Sequence, residues 1–144
     1  REKAPAALCR KIINAKINNK KEIEVWGDGN QTRSFLYIDD CIEGTMQVFE
    51  NSSSDVFNVG SEEQVSINQM IEVIENIADY RVNKIYLRDK PLGVRGRSSD
   101  NTFIQKKIGW NPKLNLSQGL EKTYAWIFNQ ITNPINTEKF TRSY

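Results

Sequence analysis

A chain of 144 residues with 26% charged and 38% hydrophobic side chains suits one folded domain with a real core, not a disordered segment. Its formal net charge of +2 is too small to argue for nucleic acid, and no apolar run approaches the roughly 20 residues that cross a bilayer. Histidine is absent, which removes the commonest general base and zinc ligand. Cys9 and Cys41 are too few and too far apart for a metal site and fit a reduced, cytoplasmic setting.

The sequence opens directly inside a helix-like pattern, without an initiating methionine or a signal peptide, and reads as a piece of a longer chain. Pro5 suits the first turn of a helix, where its missing N–H costs nothing. Pro5, Leu8, Cys9, Ile12 and Ile13 recur at helical spacing and form an apolar stripe, so Cys9 is expected in the core. Lys3, Ala7, Arg10, Lys11 and Asn14 take the opposite face. Lys3 stands beside the positive pole of that helix. With Arg1 nearby and partial burial, its ammonium is expected to give up a proton more easily.

Glu22–Trp26 and Arg33–Tyr37 are rich in β-branched and aromatic residues and flank Gly27-Asp28-Gly29, a pattern that predicts a hairpin. Arg33 leaves that turn as a fixed cation shaped to grip a diphosphate oxygen through two hydrogen bonds. A second helix is expected from Asp39 or Asp40, whose carboxylates suit an N-terminus, through Ile42, Met46 and Phe49. Val56–Gly60 reads as a short strand. Ser66 and Gln69 form a capping box before a helix whose core face is Ile67, Met70, Ile71, Ile74 and Ile77. Lys84–Leu87 reads as a strand and Asn101–Ile108 as a short helix. Ser117–Ile131 is an amphipathic helix with Leu120, Tyr124, Ile127, Phe128 and Ile131 inward. From Asn133 the periodicity stops, so residues 133–144 are expected to form a mobile tail beyond a domain at 1–132. The order is that of an α/β fold with few strands.

A diphosphate carries negative charge that several fixed cations and exposed amides would hold. Arg33, Arg95 and Arg97 are of that type, and Gly93 and Gly96 would let the backbone come close. Gln31 and Thr32 add hydrogen-bonding groups. Tyr80–Lys84 and Tyr86–Lys90 both satisfy Tyr-x-x-x-Lys, the dehydrogenase pair. Tyr80 ends a helix, however, and Tyr86 alternates within a strand, so both are read as packing or surface tyrosines. No glycine-rich dinucleotide loop is present.

The run Trp26-Gly27-Asp28-Gly29-Asn30-Gln31-Thr32-Arg33-Ser34-Phe35-Leu36-Tyr37-Ile38-Asp39-Asp40 resembles the signature of extended short-chain dehydrogenases that act on nucleotide-sugars. Arg1-Glu2-Lys3-Ala4-Pro5, continuing to Lys11, and Gly93-Val94-Arg95-Gly96-Arg97-Ser98-Ser99-Asp100-Asn101 narrow the resemblance to the GDP-mannose 3,5-epimerases, from Arg1 to about Ile131. Gln64–Met70 and Lys107–Pro112 fit the wider family.

The resemblance implies the C-terminal, substrate-binding part of a Rossmann-type enzyme. Residues 39–60 would complete the nucleotide-binding sheet of a missing N-terminal half, which would also bind NAD and carry the Tyr–Lys pair. In such enzymes NAD oxidises C4 of the sugar, proton exchange inverts C3 and C5, and GDP-mannose becomes GDP-L-galactose. The resemblance makes Lys3 catalytic, paired with an upstream cysteine. It places Glu2, Lys3, Ala4, Lys11, Gln31, Thr32, Arg33 and Arg97 on the substrate, Lys11 against its phosphate and Glu2 orienting Lys3. It also implies a homodimer. Two other readings stay open: another NAD-dependent 4-epimerase, dehydratase or decarboxylase of nucleotide-sugars, which shares the turn without requiring Arg-Glu-Lys-Ala-Pro, and a non-catalytic binding module. No residue reads guanine unambiguously.

Overall fold

Three helices share one core because each presents an unbroken apolar stripe. In the computed structural model, which describes residues 3–51, 54–91 and 93–133, these are α1 (Ala4–Ile17), α3 (Ile67–Ala78) and α5 (Leu116–Thr132). The strand β1 (Glu22–Trp26) alternates exposed and buried residues and sends Ile23 and Val25 into the same core. Cys9, Ile12, Ile13, Met70, Ile71 and Ile74 are completely buried. Each such aliphatic side chain stabilises the fold by roughly 1.5–3 kcal/mol of transfer free energy. The stripes expected on α1, α3 and α5 therefore face inward, and Ser66 and Gln69 make the expected capping box. A second box, Asn115 with Gln118, starts α5.

The strands fall into two small sheets. β1 pairs in parallel with β4 (Asn83–Leu87), from Glu22 opposite Asn83 to Trp26 opposite Leu87. β2 (Thr32–Ser34) lies between β3 (Gln64–Ser66), to which it is antiparallel, and β5 (Gly96–Arg97), to which it is parallel. The expected hairpin is thus corrected: the segments flanking Gly27-Asp28-Gly29 belong to different sheets. Gly27 and Gly29 do take positive φ, 83° and 76°. The connection runs on through Gln31, too long for the two-residue turn that aligns a hairpin. It carries the chain from one sheet to the other, with the Gly27 amide donating to Leu87 O and the Asn68 amide to Gly29 O.

Three further readings need correction. Helix α2 (Ile38–Glu50) is capped by neither aspartate; Tyr37 occupies the N-cap without a side-chain bond, and Asp39 and Asp40 sit in the first turn. Asp40 is buried because its carboxylate accepts from the Leu114 amide at 3.0 Å. Val56–Gly60 forms no strand, since no neighbouring backbone among the described residues offers it a ladder. β3 and β5, three and two residues long, were not expected as strands. Ile38, Ile42, Met46 and Phe49 leave one side of α2 apolar and exposed, and Val56 is 91% exposed. The short helix α4 (Thr102–Ile108) begins one residue after its expected start and ends as expected. The reading of a mobile tail falls almost wholly on residues 134–144, outside the described residues.

Candidate functional site

The Gln31-Thr32-Arg33 run is fixed by its neighbours on both sides. At its start, the amide of Ile67, the first residue of α3, donates to Gln31 O at 3.2 Å. In its middle, the Thr32 amide donates to Arg95 O at 2.9 Å. Gly96 lies opposite Thr32, and a Cβ there would stand 2.9 Å from Thr32 Oγ1. The close approach expected of this glycine is therefore to β2. Gly93 likewise lies against the Arg33 guanidinium, 3.2 Å from where its Cβ would be.

Arg33 and Arg97 stand directly opposite each other across the parallel β2–β5 pairing. Both line a cleft of about 330 Å³ with Ser34, Phe57, Asn58, Val59, Gly60, Ser98 and Ser99. Arg33 is half-buried and donates from Nη1 to Thr32 O at 2.6 Å; Arg97 is exposed. Among the described residues no carboxylate pairs with either. Two like charges in register repel, and an anion between them would reverse that sign. Arg95 is placed differently: its carbonyl serves the ladder and its charge helps hold the Asp28 carboxyl below the usual range, after hydrogen bonds from Asn30.

Lys11 and Gln31 meet in a second cavity, of about 530 Å³, whose wall includes Ala4, Leu8, Val25, Trp26 and Ile67. Lys11 Nζ donates to Glu24 O at 2.6 Å, and Gln31 Nε2 to Trp26 O at 2.9 Å. Gln31 Oε1 is buried without a partner among the described residues. An unmet buried acceptor costs about 1–3 kcal/mol, so this oxygen is a place where a ligand N–H would be welcome.

Lys3 lies apart from both, in a cavity of about 250 Å³ with Phe35, Leu36, Tyr37 and residues of α5 such as Leu116 and Thr123. The expected partial burial is not found: α1 begins at Ala4, and Lys3 is its exposed, extended N-cap. Glu2, expected beside it, lies outside the described residues, as does Arg1. Of the expected site residues, the structure thus brings Arg33 and Arg97 into one cleft and Ala4, Lys11 and Gln31 into another. Thr32 joins the two along the chain, and Lys3 stands next to Ala4 but in its own recess.

Cys9, placed in the core, has its thiol pushed up to about 12 by burial. Tyr80 donates its hydroxyl to Lys20 O and Tyr86 to Asn68 Oδ1, both at backbone or surface positions that serve the fold. Phe57, Asn58 and Ser99 were missed as cleft residues. Only Ser99 carried a signal, its place in the Gly93–Asn101 block. Asn68, which holds the turn through its own backbone and side chain, contacts residues about 40 positions away, and its one signal was its place in the Gln64–Met70 block.

Where Gly29, Gly60 and Gly96 allow close approach, the space is already filled by Asn68, Ser99 and Thr32 of this chain. Among the described residues no glycine-rich loop leads from a strand into a helix.

The sequence model of the GDP-mannose 4,6 dehydratase family matches residues 2–123. GDP-mannose 3,5-epimerase 1 of Oryza sativa subsp. indica is 48% identical over 131 residues, 91% of this chain and 33% of that protein. The chain therefore spans about a third of the length of the curated relatives it matches. The UDP-glucose 4-epimerase of Thermotoga maritima, solved with UDP-glucose, superposes with a TM-score of 0.80 at 25% identity, over 90% of this chain and 40% of that one. The UDP-glucuronic acid 4-epimerase of Bacillus cereus, solved with UDP-glucuronic acid and NAD, gives 0.73 at 31% identity, over 86% and 40%. The α/β fold of extended short-chain dehydrogenases is thereby shared. No helix among the described residues is long and apolar enough to cross a membrane.

Proposed function

Since the chain belongs to the GDP-mannose 4,6 dehydratase family, we propose that it is the substrate-binding part of an NAD-dependent nucleotide-sugar epimerase that converts GDP-mannose to GDP-L-galactose. The observation that carries this reading is Arg33 opposite Arg97 on one cleft, without a carboxylate partner among the described residues. In this reading the two guanidiniums take the pyrophosphate through charge-assisted hydrogen bonds. Lys11 bears on the phosphate end, Ala4 and Thr32 complete the contact surface, and Gln31 Oε1 accepts an N–H from the nucleoside. Epimerase rather than dehydratase or 4-epimerase follows from the Arg-Glu-Lys-Ala-Pro block and from the 48% identity to a GDP-mannose 3,5-epimerase.

Lys3 Nζ moves a proton at the sugar. Inverting a carbon needs removal of a proton from one face and delivery of another to the opposite face. A positioned ammonium serves one half of that exchange, with Glu2, its neighbour in sequence, assigned to orient it. The other half falls to a group outside this segment. NAD chemistry also belongs outside it, on a nucleotide-binding half whose sheet residues 39–60 extend; the exposed apolar side of α2 and the unpaired Val56–Gly60 segment agree with such a partner. We further propose that the complete enzyme is a cytoplasmic homodimer; two cysteines without a disulfide support the first part and the family resemblance the second.

The test is turnover in heavy water. The enzyme containing this segment, given GDP-mannose and NAD, should release GDP-L-galactose carrying deuterium at C3 and C5. Inversion at C4, or loss of the sugar C6 hydroxyl, would assign the protein to a different reaction of the family. The 144 residues alone should give no new isomer.

A further inference from the structure

We propose that Asn101 is a positioning residue for the pyrophosphate site, a polar clamp that fixes the strand carrying Arg97; the proposal rests on the reading of Arg97 just given. Asn101 is 3% exposed and all but wholly committed to hydrogen bonds. Its Nδ2 donates to Gly60 O at 2.8 Å, its Oδ1 accepts from Ser99 Oγ at 2.8 Å, and its amide donates to Glu62 Oε1 at 2.8 Å. The Ser99 amide donates to Ser61 O. Residues 99–101 are thereby fastened to 60–62. The two segments lie so close that a Cβ on Gly60 would stand 2.5 Å from Ser99 Cβ.

The side chain has been diverted from its usual task. Asn101 is the N-cap of α4, where asparagine ordinarily accepts an amide bond from the first turn, yet it makes no cap bond. Asp100 does the capping instead, with Oδ1 accepting from the Thr102 amide at 2.9 Å. What Asn101 holds lies upstream of the helix. β5 is only Gly96 and Arg97, paired to β2 on one side. Its entry is tied by the Thr32 amide to Arg95 O, and its exit is tied by the clamp. Two residues of ladder leave a strand free to shift; anchoring both ends keeps Arg97 in register with Arg33. Gly60 and Ser99 also line the arginine cleft, so the clamp forms its back wall.

The test is a double-mutant cycle on binding of GDP, read by calorimetry, in the full protein with Asn101→Ala, Arg97→Ala and both. Removing a buried amide that acts through Arg97 should weaken GDP by about tenfold, the size of an ordinary coupling between linked residues. In the Arg97→Ala background the same change should weaken it by less than about twofold. Asn101→Asp keeps the shape and the Ser99 bond but loses the donor to Gly60 O, and it should reproduce the loss if the alanine variant does not fold. Losses that multiply in the double variant, or parental affinity in Asn101→Asp, would overturn the proposal while leaving Arg97 on the pyrophosphate. Parental affinity in Arg97→Ala would instead overturn the reading beneath it.

Discussion

Gly29 and Asn68 lie against each other: the Asn68 amide donates to Gly29 O at 3.0 Å, and a Cβ on Gly29 would stand 2.2 Å from Asn68 Oδ1. That oxygen also accepts from the Tyr86 hydroxyl, and Asn68 Nδ2 reaches back toward Asp28 O. The turn before Arg33 is thereby fixed to α3 and β4 together. Gly29→Ala adds a left-handed backbone penalty to this overlap, roughly 2–4 kcal/mol in all. Urea unfolding should register that loss. In an Asn68→Ala background the same substitution should cost only the backbone part, about 1–2 kcal/mol; an equal cost in both backgrounds would mean the contact is irrelevant.

Cys9 gives a pH prediction. Its folded thiol sits at about 12 against an ordinary 9.0 because burial disfavours the thiolate. Below about pH 9 the thiol is protonated in both states and the contribution to stability is complete. Between pH 9 and 12 the unfolded chain binds fewer protons than the folded one, so stability falls as pH rises. Tyr124, also raised by burial and by Cys9, adds to the same slope. Cys9→Ala should therefore lower stability at pH 7 and flatten the decline above pH 9. An unchanged slope would place the thiol in water.

Lys3→Arg separates chemistry from binding. A guanidinium keeps the charge but barely titrates near neutral pH. Loss of a positioned acid or base costs roughly 100- to 10,000-fold in rate. Inversion in the complete enzyme should fall by that amount while GDP-mannose affinity stays within a few-fold. Deuterium exchange on one face of the sugar should persist. Normal inversion rates would leave Lys3 a solvated lysine at a helix start.

How much of this was legible depended on the range of the interaction. Helices α1, α3 and α5 could be read because their cores are written at spacings of three and four residues, and Ser66 with Gln69 announces its cap locally. The hairpin was misread because alternating strands around a glycine turn look alike whether they pair with each other or with partners 60 residues away. β5 is too short to carry any period. The cationic type of Arg33 and Arg97 was visible in their motifs. Their facing register was not, since it is set by a β2–β5 pairing across more than sixty residues. Helical spacing set Lys3 on the polar face, and its exposed N-cap position agrees with that; the partial burial expected of it had no such periodic signal behind it.

The central claim is that Arg33 and Arg97 hold a pyrophosphate, and calorimetric titration of the complete protein with GDP-mannose tests it most directly. Losing a charge-assisted partner in a partly buried site costs roughly 2–5 kcal/mol. Arg33→Ala and Arg97→Ala should each weaken GDP-mannose more than about tenfold, and mannose should bind neither parent nor variants. Parental affinity in both variants would contradict the claim and return the pair to the surface as solvated charges.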